Sequence, residues 1–99
     1  PVLAITPFNF PLNLVAHKVA PAFAVGAPVV LKPAEKTPLT ALLLAEAVRD
    51  SGGHALFVLT PETPEAVGTL LAEDPRCPVL SFTGSDRVGW ALKARAPKK

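Results

Sequence analysis

Four short apolar runs recur along the chain, each followed by a helical pattern, and this alternation limits the possible folds more than any other feature. The runs fall at residues 2–6, 28–32, 55–60 and 79–83. Each is nearly continuous in Val, Ile, Leu, Ala or Phe rather than alternating with polar residues. Strands covered on both faces have this composition, and such strands belong to parallel sheets. Strand and helix in strict alternation imply a parallel sheet joined by right-handed crossovers. The expectation is an α/β fold, a three-layer doubly wound parallel sheet built from four β-α units.

The segments between the runs carry helix punctuation. The first helical stretch covers about residues 11–25, with Leu12, Val15, Val19 and Phe23 on one stripe. Pro21 is expected to kink or tighten it, and Gly26 suits its carboxyl-terminal cap. The second has Thr37 as N-cap and Pro38 at the first helical position, and ends at Gly52-Gly53. Thr63 and Pro64 repeat that device for the third, which has Val67, Leu70 and Leu71 as its expected buried stripe. The fourth opens at Gly84-Ser85-Asp86 and carries Val88, Trp90 and Leu92.

At 99 residues the chain holds one small domain, and 49% apolar against 18% charged residues excludes a disordered chain. No apolar run approaches the ~18 residues of a membrane span, because Lys18 and Lys32 interrupt the candidates. No secretory signal pattern is visible. Cys77 is the single cysteine, so an internal disulfide or a multi-cysteine metal site is excluded. A cytoplasmic location is the expectation. The net charge of +2 hides an uneven spread: Arg87, Lys93, Arg95, Lys98 and Lys99 all follow Asp86. With Trp90 as its one aromatic, that cluster reads as a solvated helix face rather than a nucleic-acid groove. The abrupt strand-like start and the lack of methionine suggest a piece of a longer protein.

In open parallel sheets, ligands bind beyond the carboxyl ends of the strands. The residues there are Pro7 to Phe10, Pro33 to Lys36, Pro61 to Thr63 and Gly84 to Asp86. Gly84-Ser85, with Gly89 four residues on, either cradles a phosphate at a helix N-terminus or forms an ordinary strand-to-helix turn. Lys32 and Glu35 bracket a loop where an acid can accept both hydroxyls of a ribose, or form a solvated pair of little energetic weight. The Asn9 amide can donate to an oxyanion or cap a helix. His17 and His54 show no partner for base or metal chemistry. Cys77 precedes its strand and so lies at the wrong end of the sheet for a nucleophile.

Three segments resemble a known family. Residues 5–11, Ile-Thr-Pro-Phe-Asn-Phe-Pro, with Ala16-His17-Lys18-Val19-Ala20-Pro21-Ala22, are similar to the first strand and helix of the aldehyde dehydrogenase cofactor domain. Residues 30–38 resemble its second strand and ribose loop. Ser81-Phe82-Thr83-Gly84-Ser85 with Val88-Gly89 resembles its phosphate-side turn. The order and spacing match over nearly all of the chain, so residues 1–99 are expected to form part of a Rossmann-like dinucleotide-binding domain.

The resemblance implies oxidation of a small aldehyde to a carboxylic acid with NAD, NADP being possible, by a homo-oligomeric parent that needs neither nucleic acid nor membrane. It makes Asn9 the side-chain donor of an oxyanion hole. Ile5, Pro7 and Phe8 would line the cofactor cleft, with Phe8 in place of a commoner Trp. Lys32 and Glu35 would hold the adenosine ribose. Thr83, Gly84, Ser85 and Gly89 would border the pyrophosphate and nicotinamide. In the family, a Glu-Leu-Gly-Gly segment and a nucleophilic cysteine would follow beyond Lys99, so the 99 residues alone are expected to be inactive. Pro61 and Glu62 replace a Gly-rich turn and are expected to crowd an anionic cofactor. Glu35 favours NAD by repelling a 2′-phosphate. A non-catalytic nucleotide-binding or interaction module is the alternative. As a fragment, the chain is expected to expose an unpaired sheet edge and to self-associate.

Overall fold

A computed structural model describes residues 1–53, 55–96 and 99; His54 lies outside them. Strands β1 (Val2–Ile5), β2 (Val29–Lys32), β3 (Leu56–Val58) and β4 (Val79–Phe82) alternate with helices α1 (Asn13–Ala24), α2 (Pro38–Asp50), α3 (Pro64–Glu73) and α4 (Asp86–Arg95). The sheet order is β3-β2-β1-β4, and every pairing is parallel. Val2 pairs with Val29 on one side and Val79 on the other, and Ile5 with Lys32 and Phe82, which makes β1, like β2, an interior strand. The third strand is shorter than its apolar run, three residues within 55–60.

The chain steps from β1 through β2 to β3 and then returns to the far side of β1. Right-handed connections must then place the later helices on the opposite face of the sheet. The two cores show this division. Ala4, Val29 and Leu31 pack with Val15, Val19, Ala22 and Ala41 of α1 and α2. Leu3 and Ile5 pack on the other face with Ala72 of α3, Cys77, and Leu92 of α4. The architecture is the doubly wound three-layer α/β sheet that the alternation implied.

Prolines and glycines delimit the helices as expected. Pro38 and Pro64 each occupy the first turn, although neither Thr37 nor Thr63 makes a side-chain cap. Gly26 adopts φ 73°, and Gly26 and Ala27 donate to Phe23 and Ala22 in a Schellman closure of α1. Pro21 does not interrupt that helix. Two stripes differ from expectation. Leu12 precedes α1 and is exposed, and Leu70 of α3 faces solvent. Gly68 and Ala72 bury instead, because small residues let α3 lie close against the sheet.

The two edge strands leave apolar surface open, with Phe57 on β3 and Val79 on β4 each more than half exposed. Lys18 of α1 reaches β4 and donates to Ser81 Oγ at 2.8 Å. Burial lowers the pKa of that ammonium from its ordinary value.

Two stability predictions arise from local polar chemistry. Thr6 is 4% exposed and its hydroxyl lacks a partner among the described residues. An unpaired buried hydroxyl costs about 1–3 kcal/mol. Thr6→Val keeps the shape and is expected to raise the denaturation midpoint; a fall would show that the hydroxyl is paired in solution. Asp74, at the carboxyl end of α3, accepts from Arg76 Nη2 at 2.7 Å, Nε at 3.0 Å and the backbone N–H at 2.9 Å. The side-chain bonds to Arg76, then the backbone bond, hold its carboxyl at about 2, against an ordinary 3.8. A depressed carboxyl pKa stabilises the fold above the ordinary value, and that contribution is lost as the pH falls through the depressed one. Asp74→Asn should therefore lower the melting temperature above pH 3.8, with the gap closing towards pH 2. A gap independent of pH would contradict this origin.

Candidate functional site

The loops after β1, β2 and β4 converge at the carboxyl ends of the strands. Backbone bonds extend the ladders past the strand ends. Thr6 N–H donates to the Lys32 carbonyl at 3.3 Å, and Thr83 N–H to the Ile5 carbonyl at 3.1 Å. These bonds fix the three loops relative to one another. Above them lies a cleft of about 600 Å³, walled by α3 on one side and α4 on the other. Cofactor sites span roughly 300–1,000 Å³, so the space suits a small organic ligand. It sits where the helices change face between β1 and β4, the switch point at which doubly wound sheets bind ligands.

Eight of the ten residues singled out from the sequence line this cleft: Ile5, Pro7, Phe8, Lys32, Glu35, Thr83, Gly84 and Ser85. Lys32 is 8% exposed, and its stem runs beneath Gly68 of α3, where an added Cβ would meet Lys32 Cε at 3.6 Å. A buried stem with a wet amine is the usual way for lysine to cross apolar surface. Neither Lys32 nor Glu35 forms an ion pair among the described residues, so both charges remain available. Ser85 is the N-cap of α4, its Oγ accepting from Val88 N–H at 3.4 Å. The capping reading of Ser85 thus holds, and Ser85 also borders the cleft.

The other two candidates sit elsewhere. Asn9 is exposed, lies outside the cleft lining and caps no helix, since Leu12 occupies the N-cap of α1. Phe10 beside it has φ 46°, a left-handed conformation uncommon for an aromatic residue. Gly89 also stands behind the lining rather than in it. A Cβ there would lie 3.0 Å from Phe82 Cε1, and one at Gly84 would lie 2.7 Å from Phe82 Cζ. The two glycines leave room for the Phe82 ring, and the ring in turn faces the cleft.

Sequence reasoning gave no individual role to Lys36, Glu65, Gly68, Phe82 or Arg87, all of which line the cleft. The glycines at 84 and 89 were the available signal for Phe82, because paired glycines flanking a strand end can serve a ring as well as a phosphate. The third loop also differs from expectation. Pro61 lines a hollow of about 100 Å³ with Pro33 and Pro38, and Glu62 does not reach the cleft. Glu65 is the acid that α3 brings there.

Two other features are unsuited to chemistry. Cys77 is 5% exposed within the core beneath α3 and α4. A wider hollow of about 810 Å³ lies between α2 and the edge strand β3. Its charged residues, Glu46 and Arg49, pair with each other at 3.8 Å. No helix among the described residues is long and apolar enough to cross a membrane. No group of three or more metal-ligating side chains occurs among them.

The profile of the Aldehyde dehydrogenase family matches residues 1–99. This chain belongs to the aldehyde dehydrogenase family. A 3-sulfolactaldehyde dehydrogenase of Priestia aryabhattai is 50% identical over 97 residues, which cover 96% of this chain and 20% of that protein. The crystal structure of succinate-semialdehyde dehydrogenase from Burkholderia pseudomallei superposes with a TM-score of 0.91 at 44% identity, over 97% of this chain and 20% of the other. Succinic semialdehyde dehydrogenase from Streptococcus pyogenes, solved in complex with NADP+, gives 0.86 at 32% identity, over 98% and 21%. The chain thus spans about a fifth of the length of the relatives it matches. The similarity spans both strands that flank the switch point, so the cleft belongs to the part shared with other aldehyde dehydrogenases.

Proposed function

We propose that this stretch of an aldehyde dehydrogenase forms the cofactor side of the site, and that the protein carrying it oxidises an aldehyde to a carboxylic acid with NAD(P)+. The observation that carries this reading is the single cleft at the β1–β4 switch point, which unites three separate sequence motifs. Its lining suits a dinucleotide. Glu35 offers an acceptor for a ribose diol, and Lys32 brings an uncompensated positive charge beside it. Ser85 and the first turn of α4 present a helix amino end to a phosphate. Ile5, Pro7, Phe8 and Phe82 give an apolar surface for flat rings. Thr83 and Gly84 lie between these regions.

A bound dinucleotide supplies the hydride acceptor for aldehyde oxidation. Within this stretch, the Asn9 amide is the donor for the oxyanion that forms when a nucleophile attacks the aldehyde carbon. Its exposed position leaves that N–H₂ free of internal partners among the described residues, as such a role requires. Cys77 does not provide the nucleophile, because it is buried on the far side of a packed core. The nucleophile and general base are assigned to other parts of the parent protein, and the 99 residues are not expected to turn over an aldehyde alone. A soluble cytoplasmic homo-oligomer is the setting we assign to the parent, and the open edges at β3 and β4 should make the isolated stretch self-associate.

Calorimetric titration with NAD+ and NADP+ tests the reading. Ser85→Ala and Glu35→Ala should each weaken binding by about three- to tenfold, the equivalent of one lost hydrogen bond of about 0.5–1.5 kcal/mol. Cys77→Ser should leave affinity within about twofold. No binding by the parent protein, or an equal effect of all three substitutions, would overturn the assignment of the cleft.

A further inference from the structure

The sheet ends at β3, and its hydrogen-bond ladder shows which backbone groups face outward. Val29 N–H donates to the Ala55 carbonyl at 3.0 Å, and Leu59 N–H to the Leu31 carbonyl at 2.8 Å. Bonding residues alternate along a strand in a parallel ladder. Phe57 therefore turns its backbone groups towards β2, while Leu56 and Val58 turn theirs away from the sheet. The side chains of this edge are apolar, and Phe57 is 57% exposed. Beside it lies the hollow of about 810 Å³ under the flank of α2.

The opposite edge of the sheet is guarded. Lys18 sets its ammonium on Ser81 of β4, and a charge over an edge strand discourages a further strand from adding. No side chain of β3 carries a charge. The flank of α2 carries one of each sign instead, because Glu46 and Arg49 both line the hollow. Their side chains are 57% and 73% exposed and stand 3.8 Å apart, so the pair contributes little within one copy. Turned about a two-fold axis, acid then base meets base then acid, and each charge faces its opposite. A parallel arrangement of two such flanks would set like charges side by side.

We propose that the outer edge of β3 and the hollow beside α2 form an isologous interface with a second copy of this chain. The two β3 strands pair antiparallel across a two-fold axis, and the sheet continues from one copy into the other. Leu56 of each copy then lies opposite Val58 of the other, a pairing in which both residues exchange N–H to carbonyl bonds. Phe57 meets its own counterpart at the axis, an aromatic cross-strand pair. Glu46 and Arg49 close the contact along α2. The proposal gives a surface to the self-association assigned above, on which it rests. It shares no lining residue with the cleft.

Sedimentation velocity of the full chain over a range of concentrations tests the interface. The unaltered protein should show a reversible equilibrium between monomer and dimer. Val58→Pro removes an outward N–H and spares the ladder to β2, and it should weaken dimerisation at least about tenfold. Phe57→Lys should do the same, and its outcome does not depend on the strand accepting proline. Val79→Lys on β4 should change the dissociation constant less than about twofold. Arg49→Glu should weaken dimerisation about tenfold, because the axis makes each substitution act twice. An equimolar mixture of Arg49→Glu with Glu46→Arg should associate more tightly than either variant alone. A monomer at every concentration would overturn the proposal and the self-association together. Loss of association in Val79→Lys, or its survival in both β3 variants, would overturn the proposal and leave the self-association to another surface. A mixture no tighter than its components would overturn the two-fold arrangement.

Discussion

Leu3→Ala should be among the most damaging single truncations in this chain. Leu3 is 0% exposed in the interior strand β1 and packs against the face that carries α3 and α4. Emptying such a position costs about 2–5 kcal/mol, from the lost transfer energy and the cavity left behind. A domain of this size is stable by only about 5–15 kcal/mol, so the loss is a large fraction of the total. Each kcal/mol lowers the melting temperature of a domain of 60–100 residues by about 4–8 °C, which places the expected drop above about 10 °C. Leu43→Ala serves as the comparison, because Leu43 is 65% exposed and a surface truncation typically shifts stability by less than about 0.5 kcal/mol. Equal effects of the two truncations in thermal unfolding would show that β1 does not lie in the interior of the sheet.

Gly84→Ala should have the largest effect on the cleft. The new methyl carbon would stand 2.7 Å from Phe82 Cζ, so the ring must move. The ring borders the cleft and is backed by Gly89, where the nearest approach is 3.0 Å, so little space is open on that side. Overpacking of this kind costs about 1–3 kcal/mol, and the ring displaced into the cleft should weaken nucleotide binding by about tenfold or more. Phe82→Leu in the Gly84→Ala background removes the clash and should recover most of the lost stability. An unaltered affinity in Gly84→Ala would show that the ring does not move into the cleft, and no recovery of stability in the double variant would show that the cost of the methyl does not come from the ring.

The fold was largely legible from the apolar runs, because strands covered on both faces are nearly continuous in apolar residues and helices need punctuation. Pro38, Pro64 and Gly26 marked boundaries to within a residue or two, since their backbone restrictions are local. The burial stripe of α3 was legible only in part, since Leu71 packs against the second core while Leu70 faces solvent. Choosing Leu70 over Gly68 follows hydrophobicity, whereas the helix follows distance to the sheet, and small residues permit the closer approach. The site divides along the same line. Ile5, Pro7, Phe8, Lys32, Glu35, Thr83, Gly84 and Ser85 follow directly from strand ends, and the structure gathers them into one cleft. Phe82, Glu65 and Arg87 depend on how α3 and α4 lean over those ends, which a linear pattern does not encode. Lys36 was named only by its place after β2, because its contact with Phe8 depends on how two loops lie against each other.

The pairing of Val2 with Val79 has a consequence for how the protein is made. Of the four strands β1 leaves the ribosome first, and the partner for one of its edges emerges only after β2 and β3 have followed. Until then β1 and β2 can associate through a local crossover while the other edge of β1 stays bare. Non-local strand pairing is slow and leaves sticky edges exposed meanwhile. The cleft, which needs both β1 and β4, therefore forms only after β4 has paired. A ligand of the cleft cannot assist the earlier pairings, and it stabilises the chain only after the fourth β-α unit has joined the sheet.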